Sequence, residues 1–146
     1  MMEIKNCTDY EVAKKLFVEY SSLKGAEQCF VSFENELKKI DEIYPQGQIL
    51  IGYEDNQPVG CIALKALDNE NCELKRLYIK EQYREKGYSK LLFEAMLGRA
   101  KELGFKNAVI HTLPEVMNIG YNMYLRYGFV QNSALKDKAV ELTRTI

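Results

Sequence analysis

The segment Arg84-Glu85-Lys86-Gly87-Tyr88-Ser89 places two cations, a glycine and a small hydroxyl residue between a strand-like pattern and a helical one. At such a junction the first helix amides have no partner within the helix, and the helix dipole favours negative charge. Gly87 can take a positive φ and let a phosphate approach the backbone, while Arg84 and Lys86 add charge, so the pattern outlines a pyrophosphate site. Taken alone, the same residues are more simply read as a solvated basic turn with a glycine hinge. A P-loop needs G-K-[ST] after a longer glycine run and a dinucleotide fingerprint needs G-x-G-x-x-G; the chain has neither.

Other reactive side chains are few. Cys7, Cys29, Cys61 and Cys72 form no C-x-x-C pair and His111 is the single histidine, so zinc-ligand spacing is absent and no metal is expected. In a reducing compartment these cysteines are expected to be small buried hydrophobes. Cys72 could be a nucleophile, but the neighbouring Glu73 carboxylate would raise its thiol pKa. Twenty Lys and Arg oppose 21 Asp and Glu, which excludes a basic field for nucleic acid or anionic lipid and requires any anion to be bound locally. No apolar run approaches the roughly 20 residues of a membrane span, and Met-Met-Glu-Ile-Lys-Asn lacks the apolar stretch of a signal peptide. A cytoplasmic location and no membrane partner are expected. At 146 residues, 47% of them hydrophobic, the chain fits one domain over 1–146 with its own core.

The elements that must position these residues can be read in order. After a short apolar stretch at Ile4, Thr8-Asp9-Tyr10-Glu11 reads as a capping box for a first helix carrying Val12, Leu16, Val18, Tyr20 and Leu23 on one face. Ser32 can cap a second helix with Leu37 and Ile40, ended by Pro45 and Gly47. Ile49 to Tyr53, Val59 to Leu67 and Cys72 to Ile79 are Ile-, Val- and Tyr-rich runs separated by Asn- and Asp-containing turns, which predicts three sequential antiparallel strands. Leu91 to Leu103 has helical spacing with Gly104 as a left-handed cap. Lys106 to Thr112 reads as a strand, Ile119 to Tyr127 as a helix, and Phe129 to Gln131 and Val140 to Thr143 as short strands. The order is β-α-α-β-β-β-α-β-α-β-β.

With these residues in place, the sequence resembles the GNAT acetyltransferase superfamily, whose acetyl-CoA motif is [RQ]-x-x-G-x-[GA]. Arg84, Gly87 and Ser89 occupy its three fixed places, with Ser89 in place of Gly or Ala, Glu85 in place of a frequent Gly and Glu81 in place of a common Pro. Glu73 to Ile79 looks like the strand leading into the motif, and Tyr124-x-x-x-Gly128-Phe129 is similar to a second hallmark. The resemblance implies an α/β (α+β) three-layer fold: a mixed, mostly antiparallel sheet of about six or seven strands with helices on both faces.

It also implies an N-acetyltransferase whose cosubstrate is acetyl-CoA and whose second substrate is an amine. The pantetheine would pair with Leu77, Tyr78 and Ile79 where the fourth and fifth strands splay, the Ile79 amide would bond the thioester carbonyl, and the turn from Arg84 to Ser89, including Tyr88, would hold the pyrophosphate. Of Glu85 only the amide would bind, its carboxylate turned to solvent. Asn118 would bond the pantetheine, one place after Met117, which stands where the family often has Asn. Tyr124 would protonate the departing thiolate, as a phenol near pKa 10 keeps its proton at neutral pH; packing in the core is its other reading. The acceptor must lose a proton before attacking, and Glu73 is the candidate base, unless it is a solvent-facing residue paired with Lys75 or Arg76. His111 or a water chain are the other candidates. Glu27, Glu34, Glu36, Asp41 and Glu42 could attract a cationic amine, but Lys38 and Lys39 among them favour a solvated helix face. Similar proteins commonly form homodimers. A CoA-binding module without turnover and a sheet module unrelated to CoA are the competing functions.

Overall fold

Alternation along the strands divides the apolar side chains between two faces. In the computed structural model, which describes residues 1–23, 25–27 and 30–146 and only the backbone of Asn118 and Asp137, Ile49, Ile51, Cys61 and Ala63 fall in one core and Leu50, Ile62 and Leu64 in another. A sheet with two apolar faces must be covered on both. The elements are β1 (Glu3–Asn6), α1 (Tyr10–Ser21), α2 (Phe33–Lys38), α3 (Ile40–Ile43), β2 (Ile49–Glu54), β3 (Gln57–Ala66), β4 (Asn71–Ile79), α4 (Tyr88–Glu102), β5 (Asn107–Thr112), α5 (Asn118–Arg126), β6 (Val130–Ala134) and β7 (Val140–Thr145). α1, α2 and α3 pack on the first face, α4 and α5 on the second.

The seven strands run in the order β1-β2-β3-β4-β5-β7-β6, antiparallel except where β4 meets β5 in parallel. That exception follows from connectivity, since a parallel neighbour requires a crossover and α4 supplies it. The β2–β3 hairpin turns on Asp55 and Asn56, both at positive φ (51° and 65°), the geometry that matches strand twist and that these residue types tolerate. The mixed sheet with helices on both faces is the predicted three-layer architecture.

Local differences have physical reasons. The cap of α1 is Asp9 rather than Thr8: its carboxylate accepts the Glu11 amide at 3.0 Å, and three residues on stands Val12, which has no carboxylate to bond back. The buried face of α1 is Ala13, Leu16 and Phe17, whereas Val18 and Leu23 are exposed. Ser32 precedes α2 in a left-handed conformation and makes no side-chain cap bond, and the predicted second helix is broken at Lys39 into α2 and α3. Cys7, Cys61 and Cys72 are buried free thiols, and Cys29 lies outside the described residues. Burial pushes the Cys72 thiol up to about 11, which removes it as a nucleophile at neutral pH. Among the described residues no helix is long and apolar enough to cross a membrane, and no group of three or more His, Cys, Asp or Glu is placed to hold a metal ion.

Gly60 lets β3 pass close under the end of β4. A Cβ there would lie 2.6 Å from Ile79 Cδ1 and 2.7 Å from the Tyr78 carbonyl oxygen, and the carbonyl, being backbone, has little freedom to move. Gly60→Ala is expected to lower stability by about 1–3 kcal/mol, read as a lower urea midpoint.

Candidate active site

Pairing between β4 and β5 begins at Asn71 opposite Asn107 and stops at Glu73 opposite Val109. Beyond that point the strands diverge, and Leu74 to Ile79 have no β5 partner. Lys80 donates its amide to the Val59 carbonyl at 2.8 Å, so by strand alternation the Ile79 amide and carbonyl turn the other way, into the gap. Arg84 Nε donates to that Ile79 carbonyl at 2.9 Å and ties the turn to the strand end.

A β-bulge reshapes β4 at the same level. Ala63 opposes Lys75 and Cys61 opposes Tyr78, so Arg76 and Leu77 together oppose Ile62, with Arg76 at φ 61°. The Arg76 side chain is buried and bonds Glu36 twice, Nε to Oε2 at 2.9 Å and Nη2 to Oε1 at 2.7 Å, while Tyr44 donates to the same carboxylate at 3.1 Å. Phe30 lies against its guanidinium at 4.1 Å. Burial would raise the Glu36 carboxyl, but the bonds and charge of Arg76 outweigh it and hold the carboxyl below the usual range. Glu36 is therefore a buried tie between α2 and β4 and not part of a solvated helix face.

Two cavities lie along the gap. One, of about 430 Å³, is walled by Leu77, Tyr78 and Ile79 of β4, by Tyr83, Arg84, Glu85, Gly87, Tyr88 and Ser89 of the turn and the start of α4, and by Gly120 and Met123 of α5. The other, of about 460 Å³, is walled by Glu73, Lys75 and Arg76 of β4, His111 and Thr112 of β5, and Lys136. Tyr20, Leu77, Met117 and Tyr124 line both. The Tyr124 ring packs on Phe93 and Phe129, with centroids 5.1 and 6.5 Å away, and its hydroxyl arches back over Gly120, where a Cβ would stand 3.6 Å from Oη. Tyr20 stacks on Tyr78 at 5.4 Å and donates to Met117 Sδ at 3.6 Å, so α1 reaches the start of α5 across the gap.

Gly87 takes the left-handed φ expected of it, 77°; Glu85 does so too, at 65°, which its residue type does not suggest, and α4 starts at Tyr88 with its first amides unpaired within the helix. Tyr88 is buried and donates to the Glu54 carboxylate, a bond that leads the causes holding Glu54 low and joins α4 to the β2–β3 hairpin. Glu85 is exposed.

Of the residues singled out in the sequence, Leu77 to Ile79, Arg84, Glu85, Gly87, Tyr88 and Ser89 therefore surround one cavity and Tyr124 stands at its inner end. Lys86 is not in either wall; its ammonium lies 3.8 Å from the Glu54 carboxylate. The Asn118 side chain lies outside the described residues. Glu73 lies in the other cavity and is only 12% exposed, not solvent-facing, with Lys75 at 3.9 Å and His111 Nδ1 at 3.6 Å; Arg76 is taken by Glu36. Burial lowers the Lys75 ammonium.

The model of the acetyltransferase (GNAT) family matches residues 12–129, most of the chain. The protein belongs to this family. A relative named as an uncharacterized N-acetyltransferase, from Schizosaccharomyces pombe, is 26% identical over 130 residues, covering 86% of this chain and 79% of its own. Among solved structures, an acetyltransferase from Streptococcus agalactiae superposes with a TM-score of 0.79 at 21% identity, covering 99% of this chain and 98% of that one. A GNAT acetyltransferase from Elizabethkingia anophelis, solved with acetyl-CoA bound, superposes with a TM-score of 0.72 at 16% identity, covering 99% and 98%. At these identities the solved structures establish a shared fold.

Tyr20 and Met117, which line both cavities, and Glu141, which bonds His111, are not singled out by the sequence as candidates for the site. Glu141 alternates with buried Val140 and Leu142, but only the β5–β7 register places it opposite His111.

Proposed function

We propose that this GNAT protein, acting through one domain over 1–146, transfers an acetyl group from acetyl-CoA to a primary amine by direct attack within a ternary complex. The observation that carries the proposal is the meeting of the two cavities at Tyr124 and Leu77, beside a strand whose Ile79 amide is turned into the gap. One cavity suits the extended thioester and the other the acceptor, and their junction is where the two would react.

The unpaired amides from Glu85 to Ser89 and the Arg84 guanidinium would hold the pyrophosphate, with the free side of Leu77 to Ile79 pairing the pantetheine. The Ile79 amide is a fixed donor for the oxyanion and needs no reorganisation during reaction. Tyr124 would donate its proton to the departing thiolate, and Glu73, in the other cavity, would attract the acceptor's ammonium and receive its proton. Buried free thiols fit a reducing compartment such as the cytoplasm.

Titration of the purified protein with acetyl-CoA, followed by free-thiol release against a panel of amines, tests the reading. Binding with amine-dependent thiol release is expected. Binding without release from any amine would point to a cofactor-sensing module, and no binding at millimolar cofactor would exclude both.

Glu85 supplies a separate prediction. A non-glycine residue at positive φ is strained, and its carboxylate stands beside the proposed pyrophosphate site. Glu85→Gly is expected to raise stability by about 1 kcal/mol and to tighten acetyl-CoA binding about threefold or more, measured by calorimetric titration.

A further inference from the structure

His111 projects from β5 between two carboxylates on neighbouring strands. Its Nε2 lies 2.9 Å from Glu141 Oε1 of β7, directly opposite in register, and its Nδ1 lies 3.6 Å from Glu73 Oε2 of β4. The bond to His111, with smaller contributions from Asn132 and Ser133, keeps the Glu141 carboxyl below its usual range. An ionised carboxylate only accepts, so Nε2 must carry the hydrogen, and a neutral ring then presents the Nδ1 lone pair toward Glu73 and the cavity.

We infer that His111 is the group that takes the acceptor amine's proton out of the site, and that Glu141 is the positioning residue that fixes the ring's tautomer for the task. The inference rests on the acetyl-transfer reading and deepens it. Reaction of a thioester with an ammonium gives an amide, a free thiol and one net proton. Two ammonium N–H bonds break in all: one proton passes, directly or through the Glu73 carboxylate, to form an Nδ1–H bond, and the other replaces the proton that Tyr124 gives to the thiolate. The resulting imidazolium is stabilised between two carboxylates, and the half-exposed ring then releases its proton to water and returns to its starting form. Glu73, Lys75 and Arg76 of β4 and Lys136 share the cavity with the ring, and Glu141 of β7 backs it. Lys75 is drawn to Glu73 and Arg76 is bound to Glu36, so among the described side chains Glu73 and Glu141 are the charges in direct contact with the imidazole.

The chain has one histidine, so nitrogen NMR of labelled histidine reads this ring alone in the full-length protein. Wild type is expected to show the Nε2–H tautomer of the neutral ring. In Glu141→Ala the tautomer should shift toward Nδ1–H and kcat/KM should fall about tenfold, with acetyl-CoA affinity unchanged within about twofold. Glu141→Gln keeps an acceptor but loses the charge that stabilises the imidazolium, so the acid limb of the kcat/KM profile should move to lower pH. His111→Gln should lower kcat/KM by about 10² at neutral pH, the loss shrinking as rising pH deprotonates the free amine. An unchanged tautomer in Glu141→Ala, or an acid limb that stays in place in Glu141→Gln, would overturn the inference. Absence of thiol release in wild type would instead remove the transfer reading itself, while the NMR comparison would still decide whether Glu141 positions the ring.

Discussion

Replacing Tyr124 with phenylalanine is expected to lower kcat about a hundredfold while acetyl-CoA affinity stays within about twofold of wild type. Phenylalanine keeps the ring that packs on Phe93 and Phe129 and removes only the hydroxyl over Gly120. A departing thiolate is a better leaving group than an alkoxide, which places the loss at the lower end of the range for general acids. Because a phenol ordinarily loses its proton near pH 10, the wild type gives up its acid as the medium becomes alkaline, and the deficit should narrow above about pH 9. Thiol release across pH 7 to 10, with binding measured in parallel, reads both quantities. Loss of binding and turnover together would make Tyr124 a wall of the cavity rather than an acid.

Arg76→Ala is expected to be the most damaging substitution for stability, by about 3–5 kcal/mol, because it leaves the Glu36 carboxylate buried without its cation. The sign of the pH dependence is the sharper test. In the wild-type chain the Glu36 carboxyl is depressed, so its contribution is present above the unfolded value near 4.3 and is lost as pH falls through the folded value. Without Arg76, burial dominates and the carboxyl is raised. The variant should therefore lose stability as pH rises from about 4 toward 7, the reverse of the wild-type trend for this group. Urea midpoints at several pH values distinguish the two, and parallel curves would show that the ion pair does not govern this part of the fold.

What could be read from sequence was local. The separator Glu54 to Pro58 marks a hairpin because Asp and Asn tolerate positive φ, and the turn proves to be Asp55-Asn56. Arg84, Gly87 and Ser89 announce a strand-to-helix turn, and the family resemblance, through the distance to Gly128 and Phe129, singles out Tyr124. The features that escaped depend on which strands pair and in what register. Glu73, His111 and Glu141 come from three strands, and no periodicity brings them together. The bulge that turns Arg76 inward has no signature in Lys75-Arg76-Leu77, so Glu36 looked like one of several solvated acids. α1 misled because Val18 and Leu23 are apolar yet exposed, while small Ala13 lies on the buried face.

The divergence of β4 from β5 also bears on the fate of the protein when its cavities are empty. A seven-stranded sheet has two outer edges, and this one acquires two more inside it, where Leu74 to Ile79 have no partner on the β5 side. Interior edges are open to pairing with any extended chain that reaches them, the route by which sheets aggregate or exchange strands. The contacts of Tyr20 with Tyr78 and Met117 lie across the seam as a partial shield. Amide hydrogens at Ile79 should exchange with solvent faster than those at Cys72 on the same strand, and an occupant that pairs along the seam should slow them. On this view a molecule bound in the gap acts as an eighth strand, and ligand starvation would shorten the protein's lifetime as well as idle its chemistry.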